Sequence, residues 1–301
     1  MNRLLSFIVA AFCFTAVVSA TESVTRKKAG RDRILEVPSV SRTFSVGEFK
    51  SLRTTGPVRV VYTPTKGNVR IKADVDERVA DLLDVRESGD SLVVGFRDCK
   101  PWEHFEDSLH AIVYVDAPMV SYVDLKSVSE VDFMAPIRVS DFTASVGNMA
   151  DLSFPAFDGS SLSLMVGNMG SVTLGTVSAS SFAIVAGNMA GVTVESTTNS
   201  DEVKVRAGNM AGVSLKGGVD CKTLDLSAGN MSQVSLDGLL DANTVNLSVG
   251  NMAGVTFHTV KCGTMKGTVS AMASLKSDLT DVRHLDVDNM PRASVDWGKR
   301  E

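Results

Sequence analysis

The tripeptide Gly-Asn-Met constrains this chain more than any other feature. It stands at Gly147-Asn148-Met149, Gly167-Asn168-Met169, Gly187-Asn188-Met189, Gly208-Asn209-Met210, Gly229-Asn230-Met231 and Gly250-Asn251-Met252. Weaker copies are read at Ser270-Ala271-Met272 and Asp288-Asn289-Met290, and an atypical earlier copy surrounds Val128. From Met149 to Met272 successive methionines are 20 or 21 residues apart. A period of this length marks a solenoid, in which each coil buries its apolar side chains only when neighbours stack on it.

Alignment on the methionine shows what each coil has to bury. Seven, five and three residues before it stand triplets such as Phe142, Ala144, Val146 and Leu224, Leu226, Ala228. One, three and five residues after it stand triplets such as Ala150, Leu152, Phe154 and Ala253, Val255, Phe257. Both alternate with polar residues, which is the period of a β-strand with one buried face. A third apolar column, twelve residues before the methionine, runs Ile137, Phe157, Val177, Thr198, Val219, Leu240, Val260. Three faces per coil make a prism whose strands pair in parallel at a spacing of ~4.8 Å. The LxxLxLxxN frame of leucine-rich repeats is absent. The fold class expected is all-β, a parallel β-helix (β-solenoid) of 20 to 21 residues per coil.

The repeated tripeptide reads as a structural corner. Gly accepts positive φ and Asn accepts it better than most residues, so this pair is expected to make the turn between the first two strands. The stacked Asn side chains could hydrogen-bond along the axis as an amide ladder, or Asn could serve as a turn former alone. The methionines are expected to pack the corner rather than to form a metal-binding thioether array. No metal site and no cofactor is expected.

Residues 1–20 read as a cleavable signal peptide: Arg3, an apolar run from Leu4 to Val18, and the small-residue site Val18-Ser19-Ala20. The run is shorter than the ~20 residues of a spanning helix, and Phe12 before Cys13 argues against lipoprotein processing. Export to the periplasm, outer-membrane surface or extracellular space is therefore expected, with no transmembrane segment. Loss of Arg3 with the leader leaves 29 basic against 35 acidic residues, a net charge of −6 that argues against nucleic acid as a partner. Three cysteines remain, Cys99, Cys221 and Cys262, too few and too scattered for a disulfide framework or a zinc site. Cys221 and Cys262 fall in one column two coils apart, with Ala242 between them, which is too far for a bridge. Residues 21–42 are polar and basic and read as a flexible lead-in. Residues 43–126 read as a β-rich cap with strands near Val58, Val69, Leu92 and Ile112 and a short helix from Glu77 to Asp84, and residues 127–301 as the solenoid.

The segment Phe44-Ser45-Val46-Gly47-Glu48-Phe49-Lys50-Ser51-Leu52, the hairpin Gly89-Asp90-Ser91-Leu92-Val93-Val94, Ala117-Pro118 before the coils and the recurrent corner together resemble the bacterial auto-transporter adhesin family built on the head GIN domain. The resemblance covers residues 42 to 295. In that family the corner is typically Gly-Ile-Asn or Gly-Ser-Gly, so Gly-Asn-Met departs from it in detail. The resemblance implies a right-handed parallel β-helix behind a β-rich N-terminal part, shaped like pectin lyases but without their catalytic residues. It also implies an adhesive role.

Glycoside hydrolysis needs two carboxylates ~5–9.5 Å apart, hence in neighbouring columns of adjacent coils. Following Asp151 the column reads Ser171, Gly191, Gly212, Gln233, Gly254 and Ser274, and Asp225 lies between Lys204 and Asn246. His104, His110, His258 and His284 lack a nucleophile and acid at recognisable spacing. The expectation is a non-catalytic protein. Its candidate binding surface is an outward strip of hydroxyls four residues after each methionine: Ser153, Thr173, Thr193, Ser214, Ser235 and Thr256. The partner expected is an extracellular polysaccharide or a surface protein. The alternative is a structural, self-assembling envelope protein, and a polysaccharide-degrading enzyme ranks behind both.

Overall fold

The computed structural model describes residues 38–97 and 111–300. The signal peptide, most of the lead-in, Cys99, His104 and His110 lie outside the described residues. The chain is a β-solenoid of about eight turns. The parallel register predicted from the columns is present rung by rung: Phe142 pairs with Leu162, Leu162 with Phe182, and Phe182 with Val203 on the first face. Leu152 pairs with Val172, and Val172 with Val192, on the second face. Ile137, Phe157, Val177, Thr198, Val219, Leu240 and Val260 stack in one buried file on the third. Every large aliphatic or aromatic side chain in these files leaves water almost completely, and each contributes about 1.5–3 kcal/mol.

The stacking does not begin at the first Gly-Asn-Met. On the first face, Tyr122–Lys126 pairs in parallel both with Asp141–Val146 and with Ser51–Thr55, and Ser51–Thr55 pairs with Ser91–Phe96. On the second, Glu130–Phe133 joins Asp151–Asp158 to Val58–Pro64, which pairs with Ala111–Ala117. The region expected to be an atypical β cap is built largely from coils of the same prism, threaded out of sequence order. The coil at 51–64 is laid first, the coil containing Ser91–Phe96 and Ala111–Ala117 stacks outside it, and the chain returns to 122–133 on its other side. An aromatic series bridges the irregular and regular coils: Tyr62 to Phe133 at 4.9 Å, Phe133 to Phe142 and Phe142 to Phe154 each at 6.0 Å between ring centres. The outer end is closed by antiparallel strands, Arg70–Asp76 on Ala111–Ala117, Ser39–Phe44 on Arg70–Asp76, and Leu83–Ser88 on Ser91–Phe96. Ser39 to Arg42 thus belong to this closure rather than to the lead-in. Turning the outer strands antiparallel shields the edge, a general requirement of open sheets. The expected short helix is a 3-10 turn, Glu77–Leu82, capped by the Asp76 carboxylate accepting from the Arg78 N–H at 3.0 Å.

The corner differs from expectation in three ways. The residue with positive φ is neither Gly nor Asn but Met, at 55° to 58° from Met149 to Met272. The Ala150 N–H donates to the Gly147 carbonyl at 3.3 Å, so the corner is a four-residue turn with Asn148 and Met149 in its centre. Glycine is required for a different reason: a Cβ on Gly208 would stand 2.9 Å from the Ala186 carbonyl oxygen of the preceding coil. The amide ladder is also replaced. Among the described residues no hydrogen bond joins the Asn side chains; instead Asn backbone carbonyls accept from the preceding coil's Met N–H, as Asn188 does from Met169 at 3.1 Å. Finally, the methionines do not pack the corner but lie about half exposed. The last copy is also displaced. Ser274 pairs with Ser294, which puts Arg292, φ 68°, in the methionine position and Met290 in the glycine position. At the other end Val128, φ 60°, occupies the same position, as the atypical copy predicted.

Candidate functional site

Ser153, Thr173, Thr193, Ser214, Ser235 and Thr256 form one unbroken in-register file across the second face. Their neighbours in each strand, such as Val192 and Val194, are buried, so the hydroxyls point outward. At ~4.8 Å per rung the file is about 24 Å long. Some of its hydrogen-bonding capacity is used internally, Ser235 donating to Ser214 at 3.2 Å and Ser153 donating to the Asp132 carboxylate. The adjoining column is low. A Cβ built on Gly191 or Gly212 would meet nothing within 4 Å, so no packing contact requires glycine there. Glycine inside a strand costs roughly 0.5–1 kcal/mol relative to alanine, and often marks a place where another chain or ligand comes close. At Gly254 the movable end of the Gln233 side chain lies 2.3 Å from where a Cβ would stand, a contact that side chain can relieve by turning away.

One charged cluster lies where the columns run back into the N-terminal coils. Followed backwards, the Asp151 column reaches Glu130 and the Ser153 column reaches Asp132. Arg59 lies beside both, its guanidinium 2.8 Å from Asp132 and 3.8 Å from Glu130, with all three side chains largely removed from water. The signal was available in the sequence, because Val131 and Phe133 stand 21 residues before Leu152 and Phe154. What hid it was Arg59, which reaches the cluster only through the non-sequential threading of the first coils. The chemistry is that of a buried ion cluster of one guanidinium and two carboxylates, in which Arg59 pairs most closely with Asp132 and Ser153 adds a donor to the same carboxylate.

Of the remaining titratable groups, Asp220 and Asp241 stand in register on adjacent coils, with Lys261 3.4 Å from Asp241 on the next. The Nδ1 of His258 lies 3.1 Å from Asp278, and hydrogen bonds from His258 and Lys276 lower the Asp278 pKa from its ordinary value. Nearby Ser277 is buried and donates to the Leu279 carbonyl, so its hydroxyl faces away from that pair. Asp225 accepts from the Asn246 amide at 2.5 Å, with Lys204 on its other flank. Cys221 and Cys262 are unpaired and buried, each paired in register with Ala242, which bears out the two-coil separation. Burial pushes the Cys221 thiol up to about 12 and the Cys262 thiol up to about 11. No helix among the described residues is long and apolar enough to cross a membrane.

No family model matches the chain, and no curated protein matches its sequence. Solved structures do match its shape. A putative adhesin from Parabacteroides merdae is 12% identical with a TM-score of 0.57, over 87% of this chain and 96% of that one. A putative adhesin from Parabacteroides distasonis is 12% identical at 0.55, covering 87% and 97%. A putative lipid binding protein from the same species is 11% identical at 0.51, again over 87% and 97%. At such identities the likeness establishes the fold, and the chain therefore shares its β-solenoid architecture with these proteins along nearly their whole length.

Proposed function

We propose that this chain is an exported, non-catalytic adhesin or surface-binding protein that engages an extended, repetitive partner, a polysaccharide or surface protein, through the hydroxyl file of its second face. The observation that carries this reading is the in-register file from Ser153 to Thr256 beside the open glycines Gly191 and Gly212. Equal spacing along a flat strip suits a partner with its own repeat, because many weak hydrogen bonds add when one contact places the next at high effective concentration. Three further considerations support it. Residues 1–20 have the composition of a secretory leader. Two structural neighbours are named adhesins, in keeping with the head GIN resemblance. Among the described residues, the carboxylates clustered at the Asp132 end of the strip are held by Arg59.

The test is a glycan and extracellular-matrix binding array with the chain from Thr21, run beside surface labelling of intact cells. Saturable binding to an extended polymer and labelling from outside are expected. Absence of both would overturn the proposal, as would release of oligosaccharides from pectin, glycosaminoglycan or alginate that a single acidic substitution abolishes.

The alternative of a self-assembling envelope protein is favoured by one observation. At the end formed by Ser274–Asn289 the apolar files open, with Val282, Leu285, Val287 and Trp297 only partly buried. Concentration-dependent light scattering that rises without added ligand, and is lost when Leu285→Lys charges this edge, would favour assembly over binding.

A further inference from the structure

The corner methionines form the most uniform column on the surface. Seven of them, Met149 to Met272, follow one another coil by coil, each between 49% and 55% exposed and each with φ between 55° and 58°. Nothing in the turn asks for this side chain. A central turn residue with positive φ is ordinarily Gly or Asn, and Asn stands one position too early to serve. Nor does the core ask for it, since the side chain lies outside. A local rule broken identically in seven successive coils points to a use for the side chain itself.

The column also resists interchange. Seven residues before the methionine, the buried file passes through Phe142, Leu162, Phe182, Val203, Leu224, Val245 and Met265, and the outer file two residues after it passes through Asp, Ser, Gly and Gln. The coils have therefore diverged where only apolarity or exposure is demanded. A face meant for apolar docking would accept Leu as well as Met. What Leu lacks is the thioether sulfur, a soft donor that selects soft d10 cations such as Cu(I) over hard or borderline ions. Corners stacked through Met N–H to Asn carbonyl hydrogen bonds, such as Met189 to Asn209 at 3.1 Å, hold neighbouring methionines at the strand spacing of ~4.8 Å. The unbranched side chain then lets adjacent sulfurs converge on one ion.

We propose that the Met149 to Met272 file is a binding site for soft monovalent cations, Cu(I) or Ag(I), held between thioethers of adjacent coils. The file ends where its position passes to Val128 at one end and to Arg292, a like charge, at the other. This site lies at the corner before the hydroxyl file and is independent of that surface and of its role.

The test uses the chain from Thr21 with Cys99, Cys221 and Cys262 replaced by Ala, so that no thiol competes; Ala242 already fills the column that Cys221 and Cys262 share. Silver nitrate, which needs no reductant, is titrated while the methionine methyl signals are followed by carbon–proton NMR. The signals of the seven corner residues should shift and saturate at about one ion per two or three methionines. Buried Met265 should stay in place, and so should Met165, which is exposed on another face. Replacing Met169, Met210 and Met252 by Leu, which preserves an apolar ridge but leaves no two thioethers on adjacent coils, should weaken silver binding at least tenfold with an unchanged circular dichroism spectrum. The proposal is overturned if the corner signals do not move at millimolar silver, if Met165 shifts in parallel with them, or if the folded leucine variant binds as the parent does.

Discussion

The third buried file contains one flaw that stability measurements can read. Thr198 sits between Val177 and Val219, is 1% exposed, and its Oγ1 is buried without a hydrogen-bond partner. Its backbone is secured, the N–H donating to the Gly218 carbonyl at 2.8 Å, so the hydroxyl alone is at issue. Thr198→Val replaces that hydroxyl with a methyl of similar shape, and the valines above and below show that the site accepts it. An unsatisfied buried hydroxyl costs about 1–3 kcal/mol, so the variant should be more stable by about that amount. For a chain of this size that corresponds to a rise in Tm of roughly 2–10 °C. The assay is urea unfolding followed by circular dichroism, with the dependence on denaturant unchanged and the midpoint raised. An equal or lower midpoint at unchanged slope would show that the folded state satisfies Oγ1 by other means, and would refute the reasoning.

Arg59→Met strands the Asp132 carboxylate, whose side chain is 3% exposed, without its cation, and calorimetry should show a loss of about 3–5 kcal/mol that Asp132→Asn in the same chain partly restores. Gly208→Ala drives a Cβ to 2.9 Å from the Ala186 carbonyl and should destabilise by about 1–3 kcal/mol, whereas Gly212→Ala, which meets nothing within 4 Å, should be neutral or mildly stabilising in the same unfolding assay. The raised thiols give a pH dependence. Between the unfolded cysteine value near 8.5 and the folded values of about 11 and about 12, the folded state keeps protons that the unfolded state has lost. Stability should therefore fall as pH rises above about 9, by up to ~1.4 kcal/mol per pH unit for each thiol, and the slope should flatten when Cys221 and Cys262 are both replaced by Ala.

The columns were legible in the sequence because burial in a solenoid repeats at fixed offsets, so every coil restates the register of the last. Phe142, Leu162 and Phe182 identify one another, and the hydroxyl file follows from the same offsets. The N-terminal coils were legible as strands but not as coils. Their order in the stack is set by chain threading, with 51–64 laid inside the coil that follows it, and no offset records such a crossing. Arg59 was invisible for that reason. The corner was misread through local propensity: Gly and Asn suggested positive φ, but stacking assigned glycine to a close backbone approach and left the unusual dihedral to methionine. At the far end the apparent copy at Met290 misled because Pro291 and Arg292, with no resemblance to the repeat, occupy the turn.

The central claim is that the second face binds through its hydroxyl file, and its most direct test is adhesion of the Thr173→Lys, Thr193→Lys, Ser214→Lys variant to immobilised polysaccharides and intact cells. These side chains point outward from in-register strands, so circular dichroism should be unchanged. The single variant Thr193→Lys guards against mutual repulsion of three stacked charges. The account predicts that adhesion falls at least tenfold in the triple variant and measurably in the single one. Parent-level adhesion with parent-like spectra in both would contradict it.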